Sequence, residues 1–150
     1  MEVDDVLAVL DEAAAWLRAS GIEQWPERFK PEWIAPAIDR GDTWLARLDG
    51  VVAGTITLDW DDAPWSGLEA HAGYVHQLAV RRSAAGLGAS LHDWATATSQ
   101  ALGCAYLRLD CVSTNRRLRT YYESRGFQHQ GDVADRHGPS TWVSRYQLPL

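Results

Sequence analysis

Two stretches of the chain combine residue types and spacings that do chemistry. In LAVRRSAAGLGASL, residues 78–91, an apolar strand-like segment ends, five residues turn, and Gly86-Leu87-Gly88 enters a segment of helical periodicity. Backbone N–H groups at a helix N-terminus point outward with about half a positive charge, and glycines allow close approach, so this arrangement suits phosphate binding. Glycines at a helix start also serve as plain turn residues. In NRRLRTYYESRGF, residues 115–127, Asn115 stands where it can cap a helix and hold a polar group near a strand end. Tyr121 and Tyr122 bring phenols to the second turn of that helix; core packing is the alternative role for either, and one of them takes it.

The elements that must position these groups follow from periodicity. Apolar residues at Val3, Val6/Leu7, Leu10, Ala13/Ala14 and Leu17 have helical spacing, with acids in the first turn and Gly21 as a stop. Residues 21–31 read as an irregular aromatic loop, and a short helix follows from Glu32 to Arg40, opened by Pro31 and closed by Gly41. TWLARL and VVAGTITLDW alternate as strands around Asp49-Gly50, a two-residue hairpin signal. DDAPWSG is a loop, and Gly73–Val80 a buried strand. Apolar residues at 87, 91, 94/95 and 102, with Thr98 in the same register, predict a long helix over Gly86–Leu102. AYLRLDC predicts a strand with Ala105, Leu107, Leu109 and Cys111 on one face, followed by a helix from about Asn115 to Arg125. Strands near 127–131 and 141–148 complete an α+β order, α-α-β-β-β-α-β-α-β-β.

Composition bounds the rest. The chain has 150 residues, one ordinary domain with room for a sizeable core. It is 46% apolar and 23% charged, which excludes a disordered tail, a fibre and a disulfide scaffold. No apolar run approaches the ~20 residues of a membrane span, and no apolar signal segment opens the chain, so the expectation is a soluble cytoplasmic protein with no membrane partner. Cys104 and Cys111 match no zinc spacing and lie on opposite faces of a strand, so two reduced, packed thiols are expected. Residues 1–80 carry five Lys/Arg and fifteen Asp/Glu (−10), and residues 81–150 nine Arg and five acids (+4), summing to −6. That asymmetry suggests an anionic ligand on the second half and a cationic one on the first, with ordinary solubilising surface charge as the alternative. A nucleic-acid partner is disfavoured.

Taken together, the two motifs resemble the GNAT superfamily of acyl-coenzyme A-dependent N-acetyltransferases. There a strand ends in LAV, a pyrophosphate loop Arg/Gln-x-x-Gly-x-Gly/Ala opens the next helix, and Asn…Tyr-x-x-x-Gly-Phe follows a later strand. Here these are Leu78-Ala79-Val80, the loop Ala85, Gly86, Leu87, Gly88, Ala89 and Ser90, and Asn115, Tyr122 and Gly126-Phe127, in matching order over residues 43–148. The loop departs from the pattern at Ala85, which removes a side-chain phosphate contact and leaves backbone N–H groups, with Arg81 or Arg82, to supply it. Ser90 stands for the final Gly/Ala. The family's first strand has no counterpart before Glu2, so the sheet is one strand short or the chain begins late. A dinucleotide fold with Asp110 as its ribose acid fits less well, because Leu91 replaces its third glycine and 40 residues remain after Asp110.

The resemblance implies one α+β domain: a mixed, mostly antiparallel sheet of about six strands, splayed at the LAV strand and flanked by about four helices. An acceptor half covers residues 1–72 and a coenzyme half residues 73–150. It implies acetyl transfer from acetyl-coenzyme A to the primary amine of a small acceptor by direct attack, without metal or acyl-enzyme. A non-catalytic acyl-coenzyme A sensor on the same fold is the alternative. Backbone groups of Leu78, Ala79 and Val80 would hold the pantetheine arm and acetyl carbonyl, and Tyr122 aligns with the general acid for the leaving thiolate. His76, taken to share a strand face with Leu78 and Val80, is the candidate base; a core histidine is its alternative, and Asp59 or Glu69 acting through water is the fallback. Cys111 reads as a small buried hydrophobe. Trp25, Trp33, Trp60 and Trp65 lie among acids in the first helix-loop-helix and the 60–72 loop, suiting an amine with an apolar body; core packing is the bland alternative for each. A homodimer is expected from the family habit.

Overall fold

In a computed structural model the elements run α1 (Val3–Ala19), α2 (Pro31–Asp39), β1 (Thr43–Leu48), β2 (Val51–Asp59), β3 (Ala72–Val80), α3 (Leu87–Ala101), β4 (Tyr106–Val112), α4 (Arg116–Ser124), β5 (Gln128–Asp135) and β6 (Gly138–Pro149), with a 3-10 turn at Arg82–Ala84. The structure describes all residues except 1–2, 23–24, 27, 63–64, 66, 85 and 136–137, and the side chains of 135 and 138–140. One six-stranded sheet has the order β1-β2-β3-β4-β6-β5. β3 and β4 are parallel; β1–β2, β4–β6 and β5–β6 are antiparallel. The parallel ladder runs from Ala72↔Tyr106 to Tyr74↔Arg108. Beyond Tyr74, β3 continues to Val80 while β4 keeps its register with β6 as far as Val112↔Val143. Among the described helices, none is long and apolar enough to cross a membrane.

Two compact units emerge, residues 1–58 with 75–94 and residues 59–74 with 95–150. The first is built on α1, whose apolar stripe buries Val6, Val9, Leu10 and Ala14 against Phe29, Ile34, Val52 and Ala79. Each fully buried aliphatic of that stripe contributes about 1.5–3 kcal/mol of transfer free energy. Pro31 opens α2, where its missing N–H costs nothing. Asp49 and Gly50 both take positive φ (51° and 80°), the two-residue turn that the Asp-Gly pair predicts. β2 carries a bulge: Ala46 pairs Gly54 while Arg47 pairs Val52, leaving Ala53 extra.

The second unit centres on β4, β6 and β5, with Asn115 capping α4 by accepting the Leu118 N–H at 3.1 Å. β5 and β6 are longer than the sequence suggests. GDVADRHGPS is polar and broken by Gly and Pro, but the two strands satisfy each other's backbone, with Gly131 at φ 85° in a bulge between His129 and Asp132.

Candidate active site

The end of β3 is irregular in a way the sequence does not announce. Gln77 has φ 49°, a left-handed conformation in the middle of a strand. A Cβ on Gly73 would point at Ser99 of α3, and one on Gly54 would meet Val80 Cγ1 at 3.0 Å and Leu87 Cδ2 of α3 at 3.3 Å, so Gly73 and Val80 both face α3. They are seven positions apart on a chain whose faces alternate by two, so the alternation reverses once, at Gln77. Ala79, packed with the α1 stripe, faces the other way. This corrects the placement of His76: it shares a face with Ala72 and Tyr74, opposite Leu78 and Val80. Leu78, Val80 and His76 are half-buried, and Ala79 is buried.

After β3 the two arginines have different fates. Arg81 is consumed by the β2 bulge: its N–H donates to Ala53 O (2.8 Å), its Nε to Val52 O (2.9 Å), and its Nη1 to Glu12 Oε1 (3.3 Å). The Arg82 N–H donates to Glu12 Oε2 (3.3 Å), while its guanidinium lies 4.1 Å over the Trp16 ring. Gly86 has φ 97°, which favours glycine, and a Cβ on Gly86 or Gly88 would meet nothing within 4 Å. The start of α3, with Leu87, Gly88, Ala89 and Ser90, is therefore open to an approaching group; Ser90 is exposed. Ala85 lies outside the described residues.

In the second unit, Tyr121 is exposed and Tyr122 is 7% exposed, its ring 5.7 Å from Phe127 and 5.9 Å from Tyr146. Burial, reinforced by Cys111 and Asp110, pushes the Tyr122 phenol well above its ordinary value. Cys111 is fully buried with its thiol pushed up to about 12, first by burial and then by Asp110, so it stays a neutral thiol. Asn115 is buried with its Oδ1 used as the α4 cap.

Of the tryptophans, Trp25 meets Phe29 edge-on at 5.4 Å, and Phe29 meets the exposed Trp33 at 6.4 Å, forming one aromatic row between α1 and α2. Trp60 is exposed and packs beside Gly73, with the half-buried Asp59 next to it in the chain. Trp65 is 2% exposed and belongs to the core, where a ligand does not reach it, because Arg108 and Arg145 cover its ring at 4.5 and 5.4 Å. Glu69 accepts the Gly67 N–H at 2.9 Å, and that bond holds its carboxyl below the ordinary value. Sequence reasoning passed over Arg108. It is 3% exposed and donates to Leu68 O (2.6 Å), Tyr74 Oη (3.0 Å) and Gln147 Oε1 (3.1 Å), tying the 59–72 loop to the point where β3 leaves β4. Its only signal is a charge at an inward position of a strand, which alternation alone does not distinguish from an edge residue.

Residues 10–127 match the family model described as the acetyltransferase (GNAT) family. The chain belongs to that family. It is 30% identical over 142 residues, 87% of this chain and 78% of the relative's length, to the uncharacterized N-acetyltransferase YesJ of Bacillus subtilis (strain 168). A GNAT-family acetyltransferase structure from Listeria monocytogenes 4b F2365 superposes at TM-score 0.78 with 25% identity, covering 100% of this chain and 92% of that one. A chain of the NatC complex bound to Gag peptide and coenzyme A shares the fold at TM-score 0.69 and 15% identity, over 99% of this chain and 90% of that one. The GNAT chain is thus an acetyltransferase, with the six-stranded mixed sheet and four helices of its family.

Proposed function

We propose that this GNAT protein carries the acetyl group of acetyl-coenzyme A to the primary amine of a small acceptor with an apolar or aromatic body, by direct attack in a ternary complex. The observation that carries the reading is the run of β3 beyond Tyr74, where its described ladder with β4 stops: a left-handed Gln77 before Leu78-Ala79-Val80, and then the open Gly86 and Gly88 at the start of α3. Such a strand end has backbone groups to offer an extended pantetheine arm. The helix start offers N–H groups to phosphates. That a fold neighbour was captured with coenzyme A supports the choice of donor.

In this reading the Leu78 N–H polarises the thioester carbonyl, and one such donor is worth ~3 kcal/mol as charge develops. An alkylamine of pKa ~10 is mostly protonated at pH 7, and reversing that costs about 4 kcal/mol. His76, on the face it shares with Tyr74 and opposite Leu78, takes the proton through water rather than directly. Asp59 is the second candidate, and Glu69 suits the task less because the Gly67 N–H already stabilises its charge. Tyr122 donates a hydrogen bond to the leaving thiolate. Trp25 and Trp33, with Trp60 and Asp59, receive the acceptor's body and charge. Calorimetric titration tests the donor: micromolar binding of acetyl-coenzyme A, absent for NADH, is expected, and no binding of acetyl-coenzyme A overturns the reading.

A further inference from the structure

The helix that carries Tyr122 is polar and thinly held. Of the nine residues of α4, all described, only Tyr122 is buried. One buried side chain anchors a helix at a point and leaves its rotation about the axis open. That rotation is fixed by a single hydroxyl outside the helix. Tyr146 is fully buried on β6, paired with Leu109 of β4 on one side and His129 of β5 on the other, so its place is set by the sheet. Its Oη accepts the Arg119 Nε–H at 2.9 Å and donates to Glu123 Oε1 at 3.2 Å. Those two residues stand one turn apart on α4, about 6 Å along its axis, and Tyr122 lies between them in the chain. Two bonds from one helix face to one fixed atom resist both turning and tilting. Arg119 also donates from Nη1 to Ser113 O at 3.2 Å, which ties the helix to the end of β4. Burial, ahead of the opposing pull of Arg119, holds the Tyr146 phenol above its ordinary value, so it keeps the proton it donates to Glu123.

We propose that Tyr146 is a positioning residue for acetyl transfer: its buried hydroxyl, gripped by Arg119 and Glu123, sets the rotation of α4 and so aims the Tyr122 hydroxyl at the leaving sulfur. The proposal rests on the reading of Tyr122 as hydrogen-bond donor to the thiolate. The rings of Tyr122 and Tyr146 lie 5.9 Å apart, so the pin sits directly beside the group it aims. A misplacement of about 1 Å can cost about a hundredfold in rate.

The test is a double-mutant cycle on the full chain, with acetyl-coenzyme A and a mixture of benzylamine, phenethylamine and butylamine as probe acceptors. Tyr146→Phe keeps the ring and should lower kcat by about 10- to 100-fold, with KM for the amines and acetyl-coenzyme A affinity within about twofold of wild type. In a Tyr122→Phe background the same change should cost no more than about twofold, because nothing is left to aim; a merely structural role would multiply the two losses. Glu123→Gln, which keeps an acceptor oxygen, should retain more activity than Glu123→Ala, and both lie at an exposed position where folding is not at stake. Hydrogen exchange reads the pin without any acceptor: Tyr146→Phe should speed exchange of the α4 amides by about tenfold and leave β4 unchanged. Unchanged kcat, equal losses in both backgrounds, or unchanged α4 exchange overturns the role of Tyr146 and leaves the Tyr122 reading standing. A Tyr122→Phe chain as active as wild type, or a wild type that acetylates none of these amines, overturns both.

Discussion

Replacing Tyr122 with phenylalanine isolates what its hydroxyl does. The ring is packed against Phe127 and Tyr146 at 5.7 and 5.9 Å and is 7% exposed, and phenylalanine keeps all of that packing, so any change in melting temperature reports contacts of the hydroxyl alone. The chemical cost follows from acidities. A reference phenol of pKa ~10 is about 1.5 units weaker as an acid than a thiol of ~8.5, so full proton transfer to the thiolate is uphill by about 2 kcal/mol before folding. Burial pushes the phenol further up and widens the gap. In the proposed role the hydroxyl then acts on the thiolate as a hydrogen-bond donor, an interaction with a charged group worth ~1.5–3 kcal/mol. Tyr122→Phe should lower turnover by about 10- to 150-fold, with acetyl-coenzyme A affinity within about twofold of wild type. It should leave any alkaline limb of the pH–rate profile in place, because a phenol held above its ordinary value does not ionise there. Steady-state thiol release against pH, with calorimetric affinity alongside, reads all three. A loss beyond about a thousandfold together with loss of the alkaline limb would mean that the phenol does transfer its proton, refuting the argument. A loss of affinity alone would refute the assigned role.

Other consequences are structural. Gly73→Ala places a methyl on Ser99 Oγ and 3.3 Å from the Trp60 ring; overpacking should cost about 1–3 kcal/mol by thermal unfolding, and adding Ser99→Gly should recover part of it. Asp132 is held below its ordinary 3.8, first by the Ser144 hydroxyl at 2.7 Å and then by His129 at 2.8 Å. Its contribution to stability is therefore present above about pH 4 and lost as pH falls through its lower folded value, and Asp132→Asn should flatten that acid limb in urea titrations. Cys104 and Cys111 are buried with thiols raised by desolvation, so folded protein should resist iodoacetamide at pH 8 and both should react once unfolded.

Local chemistry was legible in the sequence, and its consequences at a distance were not. The Asp49-Gly50 turn, the Asn115 cap and the stop at Gly126 each depend on one or two residues and their own backbone, and each forms where the spacing puts it. The reversal at Gln77 left no such mark, because glutamine has no preference for positive φ. That single residue put His76 on the face opposite the one that plain alternation gives. Arg81 and Arg82 were equivalent as letters; the β2 bulge and Glu12, far away in the chain, decide which of them is frame. The eight tryptophans divide in the same way, with Trp65 in the core under two guanidiniums and Trp33 exposed.

The central claim is direct transfer from acetyl-coenzyme A to an amine. It is tested by incubating the protein with acetyl-coenzyme A and a panel of small aromatic and aliphatic primary amines, following thiol release and the acetylated amine together by mass spectrometry. The account predicts equal amounts of free coenzyme A and N-acetylated product with at least one amine, and no acetyl adduct on the protein when the amine is left out. Thiol release that leaves an acetylated protein, or binding of acetyl-coenzyme A with no transfer to any amine, would contradict it.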